Sequence, residues 1–115
     1  WQAVREQRAE FFIADGPAAL WRISVPSAAP ALELPGPTLV EWGGALRWLR
    51  ADAGDEAVRN AAAAHGGHAT LFRGRLPGVH VFHAPSPALM RLHRNLKREF
   101  DPHGIFNPGR MFAGL

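Results

Sequence analysis

The sequence has no cysteine, which excludes disulfides, thiolate metal sites and cysteine nucleophiles. It also lacks any run of about 18 to 20 uncharged apolar residues, the length that a membrane-spanning helix needs. The N-terminus does not show the basic region and apolar run of a secretory signal. Together these absences predict a protein of a reducing compartment without a membrane span, and we therefore expect a cytoplasmic location.

An excess of positive charge is also missing. Twelve Arg and one Lys face ten carboxylates, which leaves a formal net charge of only +3. Nucleic-acid sites need basic residues clustered on one face, and here the cations are scattered, so no nucleic-acid partner is expected. The hydrophobic fraction of 47%, with four Trp and seven Phe, is instead typical of a folded domain with a core.

The length of 115 residues fits a single domain, 1–115. The chain begins at Trp1 rather than Met, and its first dozen residues have the pattern of the interior of an amphipathic helix. We therefore expect this domain to be a fragment of something larger.

Three helices are predicted. Helical spacing of apolar residues covers 1–12, before the turn signal Asp15-Gly16-Pro17. Acidic residues open an Ala-rich helix over 55–65, and Gly66-Gly67 ends it. Ser86-Pro87 then starts the third helix with an N-cap and a proline at the first helical position, and Asp101-Pro102 ends it. Its apolar stripe consists of Leu89, Leu92, Leu96 and Phe100.

The predicted strands cover 20–25, 38–42, 45–49 and 68–73, and 79–82 is either a further short strand or an extended segment. Gly43-Gly44 predicts a two-residue type I′ turn between the second and third strands. Trp42 and Trp48 on this hairpin are interpreted as packing on a sheet face, and a ligand-stacking wall is the alternative. The element order indicates an α+β fold, a mostly antiparallel sheet with helices on one face in a ferredoxin-like arrangement.

The tail from Phe100 to Arg110 reads Phe-Asp-Pro-His-Gly-Ile-Phe-Asn-Pro-Gly-Arg. Prolines fix φ, and glycines permit backbone conformations that a Cβ forbids, so a rigid turn should follow the helix. Asn107 can present a donor and an acceptor outward, and Arg110 adds a fixed cation. From spacing alone, the turn is either a compact chain terminus or a holder for a polar group.

This tail resembles the closing motif of FAD-linked oxidases of the vanillyl-alcohol oxidase type, and the layout before it is similar to the E subunits of bacterial glycolate oxidases. In such proteins an N-terminal domain binds FAD, a C-terminal cap covers the flavin ring, and the Asn-Pro-Gly turn returns to the flavin. The resemblance implies that Asn107, Pro108, Gly109 and Arg110 contact the cofactor. It does not identify catalytic residues.

The resemblance thus implies that 1–115 is a C-terminal cap domain whose FAD-binding N-terminal domain is missing. The whole protein would oxidise glycolate or a similar 2-hydroxy acid to the 2-oxo acid with FAD, together with other glycolate oxidase subunits. The resemblance does not decide whether the protein attaches peripherally to the inner membrane. Glycine-rich pyrophosphate loops are absent, so the fragment should neither bind FAD tightly nor be active. The alternative is a stand-alone ferredoxin-like module that binds a ligand or a protein without catalysis.

Two further patterns were considered as sites. The pairs His65/His68 and His80/His83 have a spacing that metal ligands use, but a helix end separates the first pair and a strand would turn the second to opposite faces. No metal is therefore expected. The basic stripe, defined as Arg91, Arg94, Lys97 and Arg98, lies opposite the leucines of the third helix and is interpreted as a solvated face, with a partner surface as the alternative.

Overall fold

The structure is a computed structural model that describes residues 1–13, 18–52, 54–74 and 78–115. The turn predicted at Asp15-Gly16-Pro17 lies outside the described residues. The chain divides into two compact units, Trp1–His80 and Val81–Leu115, and each is described by itself. A single cap domain over 1–115 stays a prediction.

The first unit is an antiparallel sheet with helices, which confirms the predicted α+β class. Four strands pair in the order β2-β3-β1-β4, and all three pairings are antiparallel. β1 and β2 therefore run parallel with β3 between them, which is the split arrangement of ferredoxin-like folds. The elements are α1 (Gln2–Arg5), α2 (Glu10–Ile13), β1 (Ala19–Ser24), β2 (Thr38–Glu41), β3 (Leu46–Ala51), α3 (Asp55–Ala63) and β4 (His68–Arg73).

The helix predicted over 1–12 is wrong as one element, since α1 and α2 are separated at Gln7. Gln7 has a φ of 54°, and its N–H donates to the carbonyl of Val4 (3.0 Å) while the N–H of Arg8 donates to Ala3 (2.7 Å). This is the Schellman pattern that ends a helix, usually at glycine. The apolar spacing continues through the break because both short helices pack on the same sheet.

The hairpin predicted around Gly43-Gly44 is confirmed, but its connection is longer than a two-residue turn. Glu41 pairs with Leu46, so four residues connect the strands, and a 3₁₀ turn covers Trp42–Gly44. Trp42 adopts a φ of 52°, together with 59° for Gly43 and 97° for Gly44. The type I′ prediction is wrong because the left-handed conformation begins one residue earlier, at a residue that rarely adopts it.

Both faces of the sheet are covered. On one face, a cluster that includes Trp21, Ile23 and Leu49 packs with Val58 and Ala62 of α3. On the opposite face, Leu20 and other side chains form a second cluster, with Phe12, Leu46 and Trp48. The sequence predicted helices on one face of the sheet. α3 lies on the face of the first cluster, and the short N-terminal helices cover the face of the second cluster. β1 is therefore buried on both sides, as a central strand should be.

Arginines join the connecting segments to this sheet. Arg47, which is buried, donates to the carbonyls of Gly44 (3.1 Å), Ala29 (2.5 Å) and Pro30. It thereby fixes the proline-rich connection that takes the place of the first crossover helix. Arg59 of α3 similarly donates to the carbonyls of Ala69 (3.2 Å) and His80.

The second unit consists of α4 (Pro87–Phe100) and the tail after it. The strand considered for 79–82 is wrong: these residues form no strand, and the chain bends at Val81 and Phe82. In the part of the chain that the structure describes, no helix is long and apolar enough to span a membrane.

Candidate functional site

The helix that leads to the site begins and ends as predicted. The hydroxyl of Ser86 accepts a hydrogen bond from the N–H of Leu89 (3.3 Å), and Pro87 occupies the first turn. Its leucine stripe remains exposed, by 45% at Leu89, 53% at Leu92, 47% at Leu96 and 82% at Phe100. The C-terminal end of this stripe forms one wall of the cleft described below.

A buried carboxylate organises the start of the tail. Asp101, only 7% exposed, accepts hydrogen bonds from the backbone N–H groups of Ile105 and Phe106, both at 2.9 Å. Its own carbonyl accepts from the N–H of Gly104 (3.0 Å). Lys97, one turn earlier on α4, donates to the same carboxylate and to the carbonyl of Phe106. We call Asp101 and Lys97 the clamp.

The carboxylate of Asp101 keeps its charge over the physiological range. The hydrogen bond from Lys97, with those from Phe106 and Ile105, lowers the pKa of Asp101 to about 2, although burial acts in the opposite direction. Because the folded pKa lies below the usual value, the carboxylate stabilises the folded chain above about pH 4, and this contribution is lost as the pH falls toward about 2. The clamp should therefore be intact at neutral pH.

The turn of the predicted site follows directly. Asn107 has a φ of 46° and Gly109 a φ of 68°, and the N–H of Arg110 donates to the carbonyl of Asn107 (3.2 Å). Asparagine and glycine are the residues that adopt this left-handed conformation most readily. The predicted tight turn is thus present, and the structure brings Asn107, Pro108, Gly109 and Arg110 together as neighbours in it.

A cleft of about 480 Å³ opens between the last turns of α4 and the tail. Its apolar wall includes Leu96, Phe100, Phe106 and Met111, and its polar rim includes Asn107 and Arg110. Within the described residues, the amide of Asn107 and the guanidinium of Arg110 have no hydrogen-bond partner. The volume lies within the range typical of ligand pockets. The cleft can therefore hold an apolar ring system with a polar edge.

The sequence did not identify Asp101 or Lys97 as site residues. Asp101 was interpreted only as the end of the helix, and Lys97 as a member of the basic stripe. The signal that could have found them is the (i, i+4) Lys–Asp spacing at a helix C-terminus, which places a cation beside the carboxylate. Spacing alone could not show that both groups turn toward the tail.

The other candidates have different outcomes. Trp48 is buried and its Nε1 donates to Glu41 (2.6 Å), which confirms its packing on the sheet. For Trp42 the same interpretation is wrong, because its side chain is 75% exposed. No group of three or more potential metal ligands occurs among the residues that the structure describes. On the basic stripe, Arg91, Arg94 and Arg98 are exposed.

Comparison with known proteins finds a family match in the part of the chain that contains α4 and most of the tail. Residues 80–111 match the family model described as "FAD linked oxidases, C-terminal domain". The resemblance to FAD-linked oxidases is confirmed. The whole chain is 50% identical to the glycolate oxidase subunit GlcE of Escherichia coli (strain K12) over 115 residues, which is 100% of this chain and 31% of that relative. The chain thus spans about a third of the length of the curated relative it matches. No solved structure matches the chain.

Proposed function

We propose that this chain is the C-terminal cap part of a flavin-dependent oxidoreductase subunit, and that the cleft between α4 and the tail faces the FAD. The observation that carries the proposal is the pair of unpartnered polar groups, Asn107 and Arg110, at the rim of an apolar cleft. A flavin ring has apolar faces and an edge that both donates and accepts hydrogen bonds. The residues present therefore fit the group.

Each residue of the turn has a separate part in this proposal. Asn107 would donate to or accept from the flavin edge, and Arg110 would favour negative charge there. Pro108 and Gly109 hold the backbone of the turn. Leu96 and Phe106 would exclude water, which strengthens these polar contacts. Bound FAD supplies the hydride acceptor, and the chain supplies position and electrostatics.

The relative's name supports the choice of reaction and partners. GlcE is a subunit of glycolate oxidase, so we propose oxidation of glycolate or a similar 2-hydroxy acid to the 2-oxo acid by the whole protein, assembled with other glycolate oxidase subunits. A cytoplasmic location remains part of the proposal, and no observation supports peripheral attachment to the inner membrane.

The proposal predicts that Asn107→Gly weakens FAD binding. Glycine removes the amide but keeps the left-handed backbone, whereas alanine would add strain. Loss of one hydrogen bond of about 1 kcal/mol corresponds to a rise of about fivefold in the Kd for FAD. The measurement is FAD titration of the deflavinated full-length protein, co-expressed with its neighbouring subunits.

His103→Ala, at an exposed position of the same tail, is the control and should leave the Kd unchanged. A full-length protein that contains no flavin would contradict the proposal and favour a ligand- or protein-binding module. An unchanged Kd in Asn107→Gly would instead remove Asn107 from the cofactor site.

The proposed assembly gives the basic stripe a test of its own. Arg91→Glu combined with Arg94→Glu should lower the recovery of sister subunits in co-purification by about tenfold or more, because like charges across an interface cost several kcal/mol. Charge reversal at Arg8, which is exposed in the first unit, is the matched control. Equal recovery of the sister subunits with the wild type, the double variant and the Arg8 variant would show that the stripe is only a solvated face.

A further inference from the structure

We infer that Asp101 and Lys97 are positioning residues that hold the Asn107 turn in its binding conformation. This inference rests on the proposed function, since it concerns the same cleft. Asp101 does not line the cleft, whereas Lys97 does. The effect of both residues on FAD binding would nevertheless pass through Asn107.

The first step is the geometry of the carboxylate. Oδ1 of Asp101 accepts from the N–H of Ile105 and Oδ2 accepts from the N–H of Phe106, both at 2.9 Å. One buried side chain thus binds two consecutive backbone groups directly before Asn107. Hydrogen bonds to an ionised acceptor are about twice as strong as those between neutral groups.

The second step is the link to the helix. The ammonium group of Lys97 donates both to Oδ2 of Asp101 and to the carbonyl of Phe106. The N–H and the carbonyl of Phe106 are therefore both held, one by each member of the clamp. Phe106 directly precedes Asn107, the residue at which the left-handed turn begins. The clamp therefore joins the start of this turn to the last turns of α4.

The third step is the Asn107 side chain, which the turn itself does not hold in place. The amide of Asn107 has no hydrogen-bond partner in the described part of the chain, so it cannot fix its own direction. Its backbone adopts a φ of 46°, which is uncommon for a residue other than glycine. Without the clamp, the Asn107 amide could still donate and accept hydrogen bonds, but it would be ordered only when FAD binds. Because that ordering costs free energy, the affinity for FAD would be lower.

A purely structural role for the clamp would give a different result. A residue that only stabilises the fold changes FAD affinity independently of Asn107, so its effect would add to that of Asn107→Gly. A positioning residue acts through Asn107, so its effect should disappear once the amide is gone. The double variant separates the two roles.

The test uses Asp101→Asn, which preserves size but removes the charge and one acceptor, in the full-length protein with its neighbouring subunits. At least one of the amides of Ile105 and Phe106 should exchange with solvent about tenfold faster, because the NH2 of asparagine replaces one of the two acceptor oxygens. The Kd for FAD should rise about threefold to fivefold, and no more than in Asn107→Gly, because the effect passes through Asn107. Asp101→Asn/Asn107→Gly should bind FAD within about twofold of Asn107→Gly alone.

Lys97→Met is the second variant and guards against misfolding of Asp101→Asn. It keeps both oxygens of Asp101 but removes the hydrogen bonds from Lys97 to that carboxylate and to the carbonyl of Phe106, so exchange of the Phe106 amide and the Kd should rise in the same direction. Glu99→Gln on the same helix is the control and should change neither exchange nor affinity. Additive losses in the double variant, or an unchanged Kd despite faster exchange in both clamp variants, would overturn the inference. If Asn107→Gly itself leaves the Kd unchanged, the proposed function of Asn107 fails together with the inference, whereas additive losses overturn only the inference.

Discussion

Trp21→Ala is expected to lower the free energy of unfolding by about 3 to 5 kcal/mol, the usual cost of deleting a buried aromatic side chain. Trp21 has no exposed surface and lies on β1, one of the two strands that are paired on both edges. It packs in the same cluster as Val58 and Ala62 of α3. The cavity left by alanine would therefore open between the sheet and α3, where both sides are already fixed.

The indole of Trp21 also contains the one buried side-chain nitrogen without a hydrogen-bond partner among the described residues, its Nε1. The Arg59 guanidinium lies 5.5 Å from the ring centre, a favourable cation–π distance. Trp21→Phe removes the unsatisfied N–H and keeps an aromatic ring. Its cost should therefore be much smaller, about 1 to 2 kcal/mol, since the lost volume is partly offset by the lost desolvation penalty.

Equilibrium urea unfolding followed by far-UV circular dichroism measures these differences without depending on tryptophan fluorescence. Trp42→Ala is the matched control, because Trp42 is 75% exposed, and it should change the free energy of unfolding by no more than about 0.5 kcal/mol. Equal losses for Trp21→Ala and Trp42→Ala would contradict the central position of Trp21.

The tryptophans also show what the sequence could predict about the fold. Alternation over 20–25 identified β1, and turn residues identified the hairpin and the proline-rich connection. The pattern could not show that β1 is central and buried on both faces, because this depends on which strands pair. The hairpin places Trp42 and Trp48 close in sequence, yet Trp42 is exposed and Trp48 is buried. Trp21 is the largest fully buried side chain among the described residues.

The break at Gln7 and the longer hairpin connection have a common cause. In both places a residue other than glycine adopts a positive φ, at Gln7 and at Trp42, and local sequence gives no signal for it. At the N-terminal break a tertiary contact favours this conformation: Arg73 donates to the oxygen of the Gln7 side chain (2.9 Å) and to the carbonyl of Phe12 (3.0 Å). Such contacts join residues more than sixty positions apart.

For the site, the sequence predicted the turn but not what holds it. Proline, glycine and asparagine have conformational preferences that act locally, so the turn at 107–110 could be predicted from composition. The clamp depends instead on where two long side chains point after α4 ends. The sequence alone does not distinguish an exposed basic stripe from a lysine paired with a buried carboxylate. Only the fold of the tail separates Lys97 from its neighbours.

Gly67→Ala is expected to cost about 3 kcal/mol of unfolding free energy, as overpacking against fixed atoms does. A Cβ at Gly67 would overlap the carbonyl oxygen of Ser24 and lie 2.6 Å from Cγ1 of Val25. These atoms belong to the end of β1, where Ser24 pairs with His68 at the start of β4. The strand pair must therefore separate or shift to admit a methyl group.

Gly66→Ala is the control on the adjacent residue, and it separates steric overlap from backbone strain. Gly66 has a φ of 70° but open space around its Cβ position, so alanine there should cost only about 1 kcal/mol, from the left-handed backbone alone. Gly66→Asn should cost less still, because asparagine tolerates this conformation. Urea unfolding of the three variants gives the order directly. If Gly66→Ala were as destabilising as Gly67→Ala, strain at the end of α3 rather than the close approach to β1 would explain why two glycines occur there.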